Sequence, residues 1–264
     1  MKGRRIILTG ASEGIGRALA LELAARGARL AMAARDRGRL ESLAQECRSR
    51  GGEALAMPTD VTNQQDLEWL VSETLKTLGG IDAVIHNAGI TMWSRFDALT
   101  DLSIFERVME VNYFAPVRLT ALTLPHLKES RGLIVAIASL AGLTGVPERS
   151  AYAGSKHAMI GFFDSLRIEL AGSGVDVSVI APDFVVSEIH KRAIGPDGEP
   201  LGTSPMKQSK IMTADECARR IVHAMEKRKR LLLMSARGKL GRWLKIAAPS
   251  LIDRIAARAI RRRH

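Results

Sequence analysis

The sequence predicts one α/β domain built on a doubly wound, seven-stranded parallel sheet with helices on both faces. Three observations support this. Seven short apolar runs alternate with segments of helical period along most of the chain. Aromatic residues make up only 4% of the sequence, while Ala, Leu and Ile are plentiful, as in helices packed on a parallel sheet. A glycine-rich turn directly follows the first run. At 264 residues the chain suits a single large domain with a substantial core.

In order, RRIILTG is the first strand, and ASEGIGRALALELAARG places Ile15, Leu19 and Leu23 at helical spacing with Gly27 as a stop. ARLAMAAR is the second strand, followed by a polar helix from Arg37 to Arg50. EALAMPTDV is the third, and the next helix runs through Leu67, Leu70 and Leu75 to Gly79-Gly80. IDAVIHNAG is the fourth. A long helical region from Leu102 to Glu129 is expected to be interrupted by Pro116 and Pro125. GLIVAIAS is the fifth strand, Ala151 to Ala171 a long helix, and VDVSVIAP the sixth strand. Thr213 and Glu216 form a capping box for a helix ending near Lys227, and LLLMS is the seventh strand. The organisation expected is a domain over 1–236 and a basic extension over 237–264.

Cys47 and Cys217 form no metal or redox motif, which suits a reducing compartment. The first strand begins almost at Met1, and no apolar run reaches about 18 residues. A cytoplasmic protein is therefore expected, touching at most the inner face of a membrane. The net charge of +11 is uneven: residues 227–264 hold thirteen Lys and Arg against Asp253, or +12, leaving −1 for the first 226. Any contact with a polyanion or membrane rests on the tail.

Gly10, Gly14 and Gly16 lie where the first strand turns into the first helix. There they let the backbone approach a pyrophosphate at a helix N-terminus. At the end of the second strand Ala34 stands where an acid would meet a ribose 2′-OH, and Arg35 offers a guanidinium to a 2′-phosphate. NADP(H) is thereby favoured over NAD(H). Tyr152 and Lys156 are four apart on one helix face, so an ammonium stands beside a phenol and favours its phenolate. Such a group exchanges a proton with an alcohol or ketone near neutral pH, and Ser139 is in position to hydrogen-bond the same oxygen.

With HNAG at 86–89, Asn112 in EVNYF and APDFVVS at 181–187, these motifs resemble the short-chain dehydrogenase/reductase family over residues 4–235. The resemblance implies a Rossmann-like fold and a catalytic set of Asn112, Ser139, Tyr152 and Lys156, with Ser139 and Tyr152 on the substrate. It also implies a cofactor site of Gly10, Ser12, Gly14, Ile15, Gly16, Arg35, Asp60, Val61, Asn87, Ala88, Gly89, Val185 and Ser187, joined by Tyr152 and Lys156. In this reading Tyr152 is the general acid/base, Ser139 orients the substrate oxygen, Lys156 tunes Tyr152 and binds the nicotinamide ribose, and Asn112 holds a water on the proton path. There are departures. Glu13 precedes Gly14 and must turn away from a 2′-phosphate or pair with Arg17 or Arg35. His86 replaces an Asn as a packing change, Asp183 replaces a Gly, and Ser187 a Thr.

The resemblance makes 187–211 a substrate lid, with Ile189, Ile194, Leu201 and Met206 opposite a wall of Met92, Trp93 and Phe96. It also implies pairing through the helices at 102–129 and 151–171, giving a homodimer or homotetramer. In the tail, Leu240, Trp243, Leu244, Ala247, Leu251, Ile255 and Ile260 form a helical stripe flanked by Arg242, Lys245, Arg254, Arg258 and Arg261, divided at Pro249. Such a stripe suits the surface of an anionic membrane, or docking on its own body or a second subunit. The tail resembles extensions of short-chain reductases acting on lipid ketones, including the 3-ketosphinganine type. The function expected is an NADP(H)-dependent interconversion of a ketone and a secondary alcohol on an apolar or acyl-chain substrate, without nucleic acid. The alternative is a nucleic-acid or anionic-surface binding protein using the basic tail on a retained fold.

Overall fold

A computed structural model describes residues 1–186, 188–203 and 211–261. Ser187, Met206 and the side chains of Ile260 and Arg261 lie outside the described residues. The seven strands are β1 (Arg5–Thr9), β2 (Arg29–Ala34), β3 (Glu53–Pro58), β4 (Ala83–His86), β5 (Leu133–Ile137), β6 (Asp176–Ala181) and β7 (Leu231–Leu233). All pair in parallel in the order β3-β2-β1-β4-β5-β6-β7. The chain reverses its direction of winding between β1 and β4, which opens a crevice at their carboxyl ends.

Successive strand residues feed opposite layers. Ile6 and Leu8 face α1 (Gly14–Ala25), α2 (Arg37–Ser49) and α7 (Ala214–Glu226), burying Leu19, Leu23, Leu40 and Ile221. Ile7 faces the other side, where α3 (Gln64–Leu78), α5 (Ala115–Ser130) and α6 (Ser150–Glu169) bury Leu67, Leu70, Leu119 and Phe163. Both faces of the sheet are covered, which is why its strands read as unbroken apolar runs. Asp36 caps α2, Asn63 caps α3, and Thr213 caps α7 by accepting from the Glu216 N–H at 3.2 Å, one half of the expected capping box, while the Glu216 carboxylate pairs with Arg220.

The expected interruptions at Pro116 and Pro125 do not occur. Pro116 sits in the first turn of α5, where no amide donor is needed, and Pro125 is carried inside α5. The irregularity lies upstream: α4 (Ser103–Met109) passes into a π-turn over Glu110–Phe114 before α5. The tail forms α8 (Ala236–Ala247) and α9 (Pro249–Arg261), and Pro249 opens α9.

Candidate active site

A cleft of about 1210 Å³ runs across the carboxyl ends of the strands. At its nucleotide end, Gly10 has φ +65°, and a Cβ there would stand 2.7 Å from the Ala88 Cα. A Cβ on Gly16 would come within 2.0 Å of the Gly10 carbonyl oxygen, so only glycine keeps this cradle open. The cradle lies at the N-terminus of α1, where free amides favour an anion. Ser12, Gly14, Ile15, Asn87, Ala88 and Gly89 line the cleft here, and Asp60, Val61 and Val185 line it further along the sheet on either side.

The turn is fastened to β4 by a residue the sequence reading passed over. Thr9 accepts from the Asn87 and Ala88 amides at 3.0 and 3.1 Å and donates to the Ile85 carbonyl at 3.2 Å. Asn87 returns two bonds from Nδ2 to the carbonyls of Thr9 and Gly10, each 3.0 Å. Thr9 directly precedes Gly10, and that adjacency is the one signal that could have found it.

Arg35 lies at the end of β2, exposed and lining the cleft. Of the two courses the sequence left open to Glu13, turning away or pairing with Arg17 or Arg35, the pairing is not formed. Arg17 goes to Glu46, and Glu13 takes Arg39 at 3.1 Å and Arg192 at 2.6 Å. These partners come from helix α2 and from the segment 188–203, too far along the chain for spacing to reveal. Asp36 also holds Arg39, at 3.1 Å.

At the other end, Tyr152 and Lys156 share the inner face of α6. Lys156 Nζ lies 5.9 Å from the centre of the Tyr152 ring and donates to the Ile137 carbonyl at 2.9 Å. Its ammonium is buried, and that burial pushes its pKa down to about 8. Ser139, two residues past Ile137, lines the cleft and caps a short 3₁₀ turn over Leu140–Gly142. Asn112 is fully buried within the π-turn. It exchanges two 2.9 Å bonds with the Ile90 backbone and donates to Ser155 Oγ at 2.9 Å, which donates to the Tyr152 carbonyl at 2.8 Å. Ser155 therefore ties Asn112 to the helix of Tyr152. Behind Gly89, a Cβ would lie 3.1 Å from Asn112 Oδ1 and 3.7 Å from Lys156 Nζ, so all three converge on one spot.

Arg149 was also missed, although it lies three residues before Tyr152, at the N-cap of α6. Its guanidinium stands 4.8 Å from the Tyr152 ring and 5.0 Å from that of Trp93, and it donates to Thr91 Oγ1 at 2.8 Å. The expected wall of Met92, Trp93 and Phe96 is not formed. Met92 is wholly buried and pairs with Ile194, Trp93 stacks on Arg149, and Phe96 is exposed against Phe105. The apolar lining comes instead from Leu140, Leu143, Val146 and Phe184, with Ile189 and Ile194 from the expected lid and Leu240, Leu244, Ile252 and Ile255 from the tail. His86 is a packing residue: buried against Phe163 and bonded to Thr120 at 2.9 Å, it has its pKa pushed down to about 3 by burial.

A nucleotide cradle at the sheet's switch point, with a Tyr–Lys pair at its far end, defines a dinucleotide-dependent oxidoreductase of the doubly wound class. The sequence profile of the short chain dehydrogenase family matches residues 4–195, and the chain belongs to that family. It is 33% identical over 258 residues to 11-beta-hydroxysteroid dehydrogenase 1A of Arabidopsis thaliana, spanning 95% of this chain and 74% of that protein. It is 34% identical over 267 residues to dehydrogenase/reductase SDR family member 7B of Bos taurus, spanning 97% and 81%. Among solved structures, an alcohol dehydrogenase from the archaeon Thermococcus sibiricus, complexed with 5-hydroxy-NADP, superposes with a TM-score of 0.76 at 26% identity, covering 87% of this chain and 93% of that one. The protein is an oxidoreductase.

Proposed function

We propose that this enzyme interconverts a ketone and a secondary alcohol with NADP(H), on a substrate with a long apolar or acyl-chain body. The observation that carries the reading is the convergence of Asn112 and Lys156 behind Gly89, with the Lys156 ammonium beside the Tyr152 ring, at the far end of a cleft that begins in a glycine cradle. A bound nicotinamide supplies or accepts the hydride. Gly10, Ser12, Gly14, Ile15 and Gly16 would hold its pyrophosphate, Asp60, Val61, Val185 and Ser187 its rings, and Asn87, Ala88 and Gly89 its central ribose region. Arg35, with Arg39 beside it, would meet the 2′-phosphate, and the NADP-type ligand of the archaeal neighbour supports the same choice.

Tyr152 is the general acid/base, giving its phenolic proton to the carbonyl oxygen in reduction and taking it back in oxidation. Ser139 Oγ donates to that oxygen and orients it. Lys156, charged at neutral pH, favours the phenolate and binds the ribose hydroxyls. Asn112 holds the backbone of Ile90 and the Ser155 hydroxyl at the inner end of the proton path. The apolar lining, and the hydroxysteroid dehydrogenases among the relatives, support a lipid-like substrate. Pairing into a dimer or tetramer through α4, α5 and α6 is supported by exposed Phe114 and Ile168. The reading includes a cytoplasmic enzyme in peripheral contact with an anionic membrane through its tail; no helix among the described residues is long and apolar enough to cross one.

Tyr152→Phe is expected to lower turnover of a long-chain ketone by roughly 1000-fold while NADPH binding, read by fluorescence titration, stays within about twofold. Turnover at the wild-type rate would remove Tyr152 from the reaction.

A further inference from the structure

The C-terminal helices divide their side chains in an unusual way. On α8, Gly238 packs so closely on Leu140 that a Cβ would stand 2.5 Å from its methyl carbon, and Gly241 and Leu244 turn toward the cleft. The outward face carries Trp243 (71% exposed) and Ile246 (71%), with Leu240 (61%) at its edge toward the cleft. On α9, Leu251 (43%) and Ile255 (50%) are exposed, while Ile252 and Ala256 line the cleft mouth. α9 meets the rest of the chain chiefly through α8. Five large apolar side chains thus form an outward face at the rim of the cleft, and a patch of this kind marks an interaction surface.

Charge indicates the occupant. Lys239 and Arg242 stand among the outward residues of α8, and Arg254 and Arg258 follow Leu251 and Ile255 along one edge of α9; all four are exposed. Residues 237–264 carry nine Lys and Arg against Asp253, or +8 of the net +11, so the charge that could attract an anionic partner is concentrated on this stretch; Lys227–Arg230 lie before β7, at the other end of the sheet, where Arg228 pairs with Asp176. A basic helical surface with a Trp and branched aliphatics facing outward suits a bilayer interface, where the rings and methyls enter the headgroup boundary and the cations meet lipid phosphates.

We propose that the α8–α9 hairpin seats the enzyme on an anionic lipid bilayer and forms the threshold over which a membrane-dissolved ketone passes into the cleft. Leu240 and Ile255 belong to both surfaces, exposed on the patch and lining the cleft, so the patch borders directly on the cleft that Tyr152 lines. The inference rests on the reading of the cleft as the site of an apolar ketone reached beside a membrane, and it adds the residues that form the seat and the route into the cleft.

The test uses the full chain and a Trp243→Ala/Ile246→Ala/Leu251→Ala variant, whose replaced side chains are exposed and outside the cleft lining. Co-sedimentation with phosphatidylglycerol/phosphatidylcholine vesicles should retain the wild type, release it at high salt, and fall at least tenfold for the variant. NADPH oxidation with a short water-soluble ketone should be equal for both proteins. With a long-chain ketone supplied in the same vesicles, the variant should fall about tenfold behind. The proposal is overturned if the wild type ignores anionic vesicles, if the variant binds them equally well, or if the variant only converts a dimer to a monomer in sedimentation velocity, which would make the patch a contact between copies. Vesicle binding without turnover of any ketone, short or long, would instead defeat the functional reading and the entry route while leaving the lipid seat standing.

Discussion

The two walls of the cleft are held by different physics. On the sheet side, buried hydroxyls and amides bridge distant strands: Thr9 to Asn87 and Ala88, Asn112 to Ile90 and Ser155. On the outer side, the segment 188–203 is tied down by the half-exposed Arg192–Glu13 pair, and the C-terminal hairpin leans on Leu140 through a glycine. A buried neutral hydrogen bond is costly to leave unmade, whereas an exposed ion pair contributes little and weakens with salt. The chemistry is therefore built on a wall that tolerates little change, and substrate access on one that can be altered at small cost.

The largest effect should come from the rigid wall. Thr9→Val keeps shape and volume but leaves the Asn87 and Ala88 amides without their acceptor in a buried position. A loss of about 2–3 kcal/mol in urea unfolding is expected, with weakened NADPH binding. A change below about 0.5 kcal/mol would mean that Thr9 does not fasten the turn.

Much of that wall was legible in the sequence, and the reasons are local. The strands are buried on both faces and read as unbroken apolar runs, and the glycines and the Tyr–Lys pair sit at fixed offsets from strand and helix starts. Thr9 and Ser155 were not legible because a hydroxyl announces nothing about a partner 78 or 43 residues away. The π-turn was hidden because Pro116 and Pro125 attracted the expected breaks, while a first-turn proline costs a helix nothing. Met92, Trp93 and Phe96 were misread as cleft wall because apolar character does not say which cavity a side chain enters. In the tail, period and composition predicted two helices, but which residues turn inward was decided by glycines at 238 and 241 that no stripe argument weighs.

A smaller effect, of opposite sign, is expected from the buried cation. Lys156 has its pKa lowered from 10.5 to about 8 by burial, and no carboxylate is among its described partners. Below about pH 8 it is charged both folded and unfolded, so its desolvation opposes folding in full. Between about 8 and 10.5 the unfolded chain binds more protons, so the wild type gains stability as pH rises. Lys156→Met should abolish turnover yet raise stability at pH 7 by about 1 kcal/mol, after the loss of the bond to the Ile137 carbonyl is counted. That advantage should shrink toward pH 10. Urea unfolding at pH 7 and pH 10 checks it, and an advantage unchanged by pH would mean the ammonium is not desolvated.

The smallest effect belongs to Glu13, where the two walls meet. Its carboxylate holds Arg39 from below and Arg192 from the outer segment, beside the place proposed for a 2′-phosphate. A phosphate arriving there must compete with Glu13 for Arg39 and bear its repulsion. Glu13→Gln removes the charge and keeps an oxygen that can accept from Arg192. Exposed pairs of this kind contribute about 0.2–1 kcal/mol, so NADPH should bind roughly two- to fivefold more tightly, with NADH unchanged. Because both groups reach solvent, the difference should narrow between 50 and 300 mM salt, as screening shortens toward the contact distance. Fluorescence titration of the two nucleotides separates the alternatives. If both bound more weakly, Glu13 would matter as the clasp that holds the outer wall, and the competition for Arg39 would be absent.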